Sequence, residues 1–325
     1  MRTPGIGIPP GRGRRRTAVA AVAALAAAAA LAVPAAQAAQ SAPDARNAAG
    51  PGVLQEIWSE DFDGPAGSPP SGENWIVDTG HGYPGGPDNW GTGEVQEYTD
   101  DPANLQLDGQ GRLKITALKN GDAWTSGRIE TRRTDFAAPE GGTLRISASL
   151  RLPQVSGDAA LGYWPAFWTL GDAYRGNYWN WPGIGEFDIM ENVNGQRATH
   201  GVLHCGVNPG GPCNETQGLG AERPCADCQS AFHEYAVELD RTGGTEELRW
   251  YVDGQQFHSV SENDVGADAW AQATHHGHFI LLNLAMGGAF PDGVAGRATP
   301  TPATESGGSL LVDRVSVERT GGATR

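Results

Sequence analysis

The sequence predicts an all-β domain, a sandwich or a barrel, on three observations. Apolar and polar residues alternate in many short runs, as in LRISASLRL (144–152), the period-2 pattern of a strand with one buried face. Beyond residue 38 no segment sustains the 3.6-residue apolar period of a helix. The 47 Gly and 22 Pro fall between the apolar runs and punctuate them as turns.

In chain order, Arg12, Arg14, Arg15 and Arg16 precede an Ala/Leu/Val run that ends in Ala36-Gln37-Ala38. A basic start, a short apolar stretch and a small-residue cleavage pattern make a secretory signal peptide of residues 1–38, in preference to a membrane anchor. No later run approaches the ~20 apolar residues of a spanning helix. The expected product is secreted and extracellular, with no membrane partner. Residues 39–52, AQSAPDARNAAGPG, read as a disordered linker, 53–319 as one domain and 320–325 as a tail. Loss of the leader's five Arg takes the formal net charge from −15 to −20. That charge repels nucleic acid and suits a neutral partner.

The strands follow. RLKITAL (112–118) buries Leu113, Ile115 and Ala117. In SGRIETRRT (126–134), Arg128, Glu130 and Arg132 share a face that either is solvated or lines a wet groove. YAVEL (235–239) buries Tyr235, Val237 and Leu239, and LRWYVDGQQFHSV (248–260) is a hairpin turning at Asp253-Gly254. FILLNLA (279–285) is apolar enough to lie inside, and LLVDRVSVER (310–319) is the last strand. Cys205, Cys213, Cys225 and Cys228 suit two disulfides in an exported chain better than a redox or zinc site, with three pairings open.

GEFDIMEN (185–192) sets Glu186, Asp188 and Glu191 among apolar residues. Buried carboxylates cost several kcal/mol unless paired or used. Glu186 and Asp188 share a strand face, and Glu191 joins them only if Ile189-Met190 forms a β-bulge. Two such carboxyls about 5–5.5 Å apart suit a retaining glycosidase, one attacking and one donating a proton. A calcium site and a solvated acidic edge are the alternatives. Trp164, Trp168, Trp179 and Trp181, with Tyr163, Tyr174 and Tyr178, lie just upstream. Indole faces stack on sugar rings, which favours a saccharide cleft.

WPGIGEFDIMEN (181–192) resembles the signature of glycoside hydrolase family 16. Its bulged form, Glu-x-Asp-x-x-Glu, goes with laminarinases and their relatives, and the unbulged form with lichenases. EDFDG (60–64), WGTGEVQEYT (90–99), GRLKITA (111–117), TSGRIET (125–131), YWPAFWTLG (163–171), LLNLAMGG (281–288) and VDRVSVE (312–318) resemble further family blocks in the family's order. The resemblance implies a β-jelly-roll sandwich of two bent antiparallel sheets with a concave substrate cleft. It implies Glu186 as nucleophile, Glu191 as general acid/base and Asp188 as the assisting carboxylate. It implies Trp181 as a stacking platform, with Trp164, Trp168, Arg128 and Asn283 lining the cleft. His204 is expected to approach the acid/base, with His200 as its competitor. No cofactor is required by the chemistry. A structural calcium would use Asp61, Gly109 and Asp313, although Glu60-Asp61 stands where the family usually has Asp-Glu. The cysteine-bearing insert 206–229 is expected to wall one end of the cleft; Asn-Glu-Thr at 214–216 is not expected to carry a glycan. The implied activity is endo-hydrolysis of β-1,3 bonds in laminarin-type glucan by a monomer. Mixed-linkage glucan, agar-type galactan and a non-catalytic glucan-binding role are the alternatives.

Overall fold

The computed structural model describes residues 52–321. The leader, the linker up to residue 51 and the last four residues lie outside the described residues. In chain order the strands are β1 (Leu54–Glu60), β2 (Trp75–Asp78), β3 (Gln96–Tyr98), β4 (Leu105–Leu107), β5 (Leu113–Thr116), β6 (Leu118–Asn120), β7 (Ala123–Ser126), β8 (Arg128–Thr131) and β9 (Thr143–Arg151). They continue as β10 (Tyr163–Gly171), β11 (Glu186–Glu191), β12 (Ala198–His204), β13 (Leu219–Pro224), β14 (His233–Asp240), β15 (Glu247–Val252), β16 (Gln255–Ser261), β17 (His278–Met286) and β18 (Ser309–Thr320).

An eight-stranded sheet runs β16-β15-β14-β9-β18-β5-β4, with β1 also paired to β18. A seven-stranded sheet runs β13-β12-β11-β10-β17-β8-β2. Every pairing in these two sheets is antiparallel. This is the jelly-roll arrangement expected. A small third sheet, β3-β7-β6, adds a parallel β3–β7 pair that the sequence pattern does not announce, because its strands are only three or four residues long.

The alternation read in the sequence sets the core. Ile146, Leu150, Val315 and Val317 of the larger sheet meet Phe167, Phe187, Ile280 and Leu282 of the smaller, together with Trp75 and Trp250. Each such aliphatic side chain contributes about 1.5–3 kcal/mol by leaving water. Strand β17 is buried along all nine residues because both its faces are covered. Ile280, Leu282, Leu284 and Met286 join the main core. Phe279 and Leu281 point the other way, into a second cluster with Leu170 and Tyr174 on which Trp168, Tyr178 and Trp181 pack.

Asp253 and Gly254 both take positive φ between β15 and β16, the two-residue turn the sequence signals. Thr320, read as tail, is instead the buried last residue of β18. Three short helices, Glu262–Val265, Ala267–Thr274 and Ala289–Ala295, escape a periodicity search because none exceeds eight residues. No described helix is long and apolar enough to cross a membrane. The disulfides join near neighbours, Cys205 to Cys213 and Cys225 to Cys228.

Candidate active site

The bulge expected at Ile189-Met190 is present. Between Asp188 and Glu191 the register slips by one, so that Asp188 faces Val202 and Glu191 faces His200 on β12. Ile189 and Met190 both turn into the core, and Glu186, Asp188 and Glu191 all line one cleft. The bulge is held from the opposite sheet, where the Trp250 indole N–H donates to the Asp188 carbonyl at 2.8 Å. Trp250 reaches that far because residue 201 is glycine; a Cβ there would lie 2.5 Å from its ring. Gly185, which leads into β11, has φ +77° and would press a Cβ to 2.3 Å from the Ala273 carbonyl. Only glycine meets both demands.

The cleft encloses about 1050 Å³. Trp164 donates its indole N–H to Glu191 at 2.7 Å, and Trp181 donates to Glu186 at 3.1 Å. Each glutamate is thus aimed by its own tryptophan. One carboxylate or imidazole atom from each of Glu186, Asp188 and His204 lies within 4.8 Å of the other two. His204 Nε2 stands 3.4 Å from Asp188 Oδ2, an ion-pair distance without hydrogen-bond geometry, so that oxygen has no donor.

Burial and mutual repulsion keep protons on this cluster. Burial pushes Glu186 up to about 7; the His204 charge opposes this and Glu191 adds to it. Asp188 is pushed well above the carboxylate range, by burial first and then by Glu186 and Glu191. Glu191 is raised by burial, against the Trp164 hydrogen bond and the His204 charge. With all three raised by burial, and Asp188 raised further by Glu186 and Glu191, these acids do not all ionise at neutral pH, which leaves a proton donor beside a carboxylate.

The rest of the cleft is held by a polar network. The buried Arg128 donates to Asp78 at 3.1 Å and to Tyr83 at 3.1 Å. Its guanidinium lies 4.3 Å from the Trp90 ring and 5.0 Å from that of Trp168. Only 3% exposed, Arg128 excludes the solvated-face reading of its strand. Trp168 donates to Asn283 at 2.7 Å, Asn283 to Tyr98 at 2.9 Å and Tyr98 to Glu94 at 2.8 Å. Asn283 therefore links the cleft wall to its support.

All nine residues expected in or beside the reaction line the same cleft: Glu186, Asp188, Glu191, Trp181, Trp164, Trp168, Arg128, His204 and Asn283. His204 feels the charges of both glutamates. His204 is the register partner of Glu186 and contacts Asp188, while His200 stands opposite Glu191. The antiparallel register puts the histidine nearer in sequence to the bulge beside the far glutamate. The insert supplies edge strand β13 and places Asn208, Thr216, Gln217 and Gly218 on the cleft wall. Phe290 and Trp90 also line the cleft without having been singled out; Trp179, one of the upstream aromatics noted in the sequence, lines it too and is 70% exposed there. Glu215, beneath His204, carried no signal beyond being an acid in a Gly- and Pro-rich loop.

For the calcium residues the donors present fit poorly. The Asp61 carboxylate accepts from Arg314, which also pairs with Glu56. Glu60 is occupied by Asn74 and Trp75. Elsewhere, Cys225, Cys228 and His233 lie close enough to ligate a metal together, but the two sulfurs are joined to each other.

Comparison with known proteins agrees with this geometry. A family model described as "XgeA-like, catalytic GH16 domain" matches residues 140–235. The solved endo-1,3-beta-glucanase from Streptomyces sioyaensis is 52% identical, with a TM-score of 0.81, over 84% of this chain and 99% of that one. A Beta-glucanase of Rhodothermus marinus is 33% identical over 81% of this chain and 84% of its own length. Glucan endo-1,3-beta-glucosidase A1 of Niallia circulans is 28% identical over 80% of this chain, which spans 37% of that longer protein. With the bulged carboxylate strand and these relatives together, the chain belongs to glycoside hydrolase family 16.

Proposed function

We propose that this glycoside hydrolase cleaves internal β-1,3 bonds of a neutral laminarin-type glucan with retention of configuration. The observation that carries the reading is the bulged β11, which turns Glu186, Asp188 and Glu191 to one cleft face with an indole donor on each glutamate. In this mechanism Glu191 gives its proton to the glycosidic oxygen as the Glu186 carboxylate attacks the anomeric carbon. The leaving sugar departs and a glycosyl ester on Glu186 remains. Glu191, now a carboxylate, takes a proton from water, whose oxygen displaces Glu186 from the same carbon. Asp188, held protonated by burial and by the neighbouring acids, adds no further negative charge beside the Glu186 carboxylate as it attacks. The tryptophans of the cleft offer flat apolar faces to successive sugar rings. The chain would act outside the cell as a monomer, without a cofactor.

The reading is tested by reducing-end release and product sizing on laminarin, lichenan and agarose. Laminarin should give mixed oligosaccharides from the first minutes. Glu186→Gln should lose turnover by about 10³-fold or more while still binding the polymer. Turnover retained in that variant, or cleavage of agarose alone, would refute the proposal.

A further inference from the structure

Glu215 comes from the insert, yet its side chain has no exposure at all. One oxygen accepts from the ring at His204 Nδ1 at 2.8 Å, and the other accepts from the Cys205 backbone N–H at 2.9 Å. Those two bonds pin the loop to the end of β12. The disulfide from Cys205 to Cys213 ties the same two places together, two residues before Glu215. With Nδ1 engaged, the ring of His204 is fixed with Nε2 toward Asp188, and Trp181 packs against its face at 5.5 Å.

We propose that Glu215 is a positioning residue for the reaction, acting through His204: it fixes the imidazole's orientation and holds its proton, so that a positive charge stands beside Glu186 and Asp188. The inference rests on the hydrolase reading above and deepens it. A buried carboxylate with two donors needs a reason to be built, and this one has no contact with the cleft itself. The charged groups facing His204 are Glu186, Asp188 and Glu191 on β11 and Glu215 from the insert. Burial disfavours the charged imidazole; the Glu215 hydrogen bond and the surrounding acids outweigh it, and the group is raised above its ordinary 6.5. In turn, the His204 charge lowers Glu186 more than the distant Glu215 raises it. Removing the Glu215 charge should therefore let His204 lose its proton earlier and move Glu186 upward.

The first test needs no substrate. In the unmodified chain, NMR titration of the imidazoles, with the His204 signal identified from His204→Gln, should place this residue above 6.5. Glu215→Gln, which keeps an acceptor for the Cys205 N–H, should lower it by about one unit, roughly tenfold in proton affinity. On laminarin, kcat should fall about tenfold at nearly constant KM, and the acid limb of kcat/KM should move to higher pH. In a His204→Gln background, Glu215→Gln should cost nothing more, because its route of action is gone. A His204 signal titrating below 6.5 in the unmodified chain, an unshifted one in Glu215→Gln, or additive losses in the double variant would overturn the inference. A wild-type chain inactive on laminarin would sink the substrate reading and leave the NMR titration to decide this one.

Discussion

Beside the bulge, four carboxylates, Glu186, Asp188, Glu191 and Glu215, act on a single imidazole, His204. Across the same cleft, Asp78 and Glu130 meet two guanidiniums, Arg128 and Arg175. Both clusters are buried, yet their charge balance differs. The second is matched, and Tyr83 knits it further by donating to Glu130 at 2.7 Å. Even there burial pushes Asp78 up to about 6, with Arg128 holding it down. The first is unmatched, and Glu186, Asp188 and Glu191 keep protons that carboxylates usually lose. Matched buried charge makes a rigid wall; unmatched buried charge makes a group ready to exchange protons.

The largest effect should come from breaking the matched side. Arg128→Met leaves Asp78 and Tyr83 without their cation in the interior and should destabilise the fold by about 3–5 kcal/mol, read by urea unfolding at pH 7. A loss below 1 kcal/mol would mean that the pair is not structural.

The unmatched side should respond in the opposite sense. Glu186 is raised from 4.5 to about 7 in the folded chain. Its favourable contribution is therefore complete below pH 4.5 and is lost as pH rises through about 7. Glu186→Gln should remove that penalty, making the variant more stable than wild type by about 3 kcal/mol at pH 8 and by little at pH 4. Equal unfolding midpoints at both pH values would contradict the electrostatic account.

The smallest effect concerns a single donor. Trp164→Phe removes the hydrogen bond that lowers Glu191. As the proposed acid/base, Glu191 must be protonated to act, so the alkaline limb of the pH–rate profile should shift upward, by about half a unit. A downward shift would assign that limb to another group.

Most of the cleft was legible because strand chemistry is local. Period-2 alternation located β9 and β14, a nearly continuous apolar run located β17, and Asp253-Gly254 located the hairpin. The odd spacing between Glu186 and Glu191 announced a bulge, since a one-residue slip is the only way both can share a face. What failed was local in a different sense. The three helices were too short to show a period, and the parallel β3–β7 pair joins strands too brief to carry one. The roles of His200 and His204 depend on register across two strands, which alternation within one strand does not specify.

By itself the sequence determined the strand faces, the bulge and the identity of the three acids, because side-chain direction along a strand follows from its period. Only the tertiary structure decided which disulfides form, that Trp250 of the opposite sheet would hold the bulge's carbonyl, and that Glu215 would fold beneath His204. Those contacts join residues on different strands and loops, and the charge they bring together fixes protonation through distance in space rather than separation along the chain.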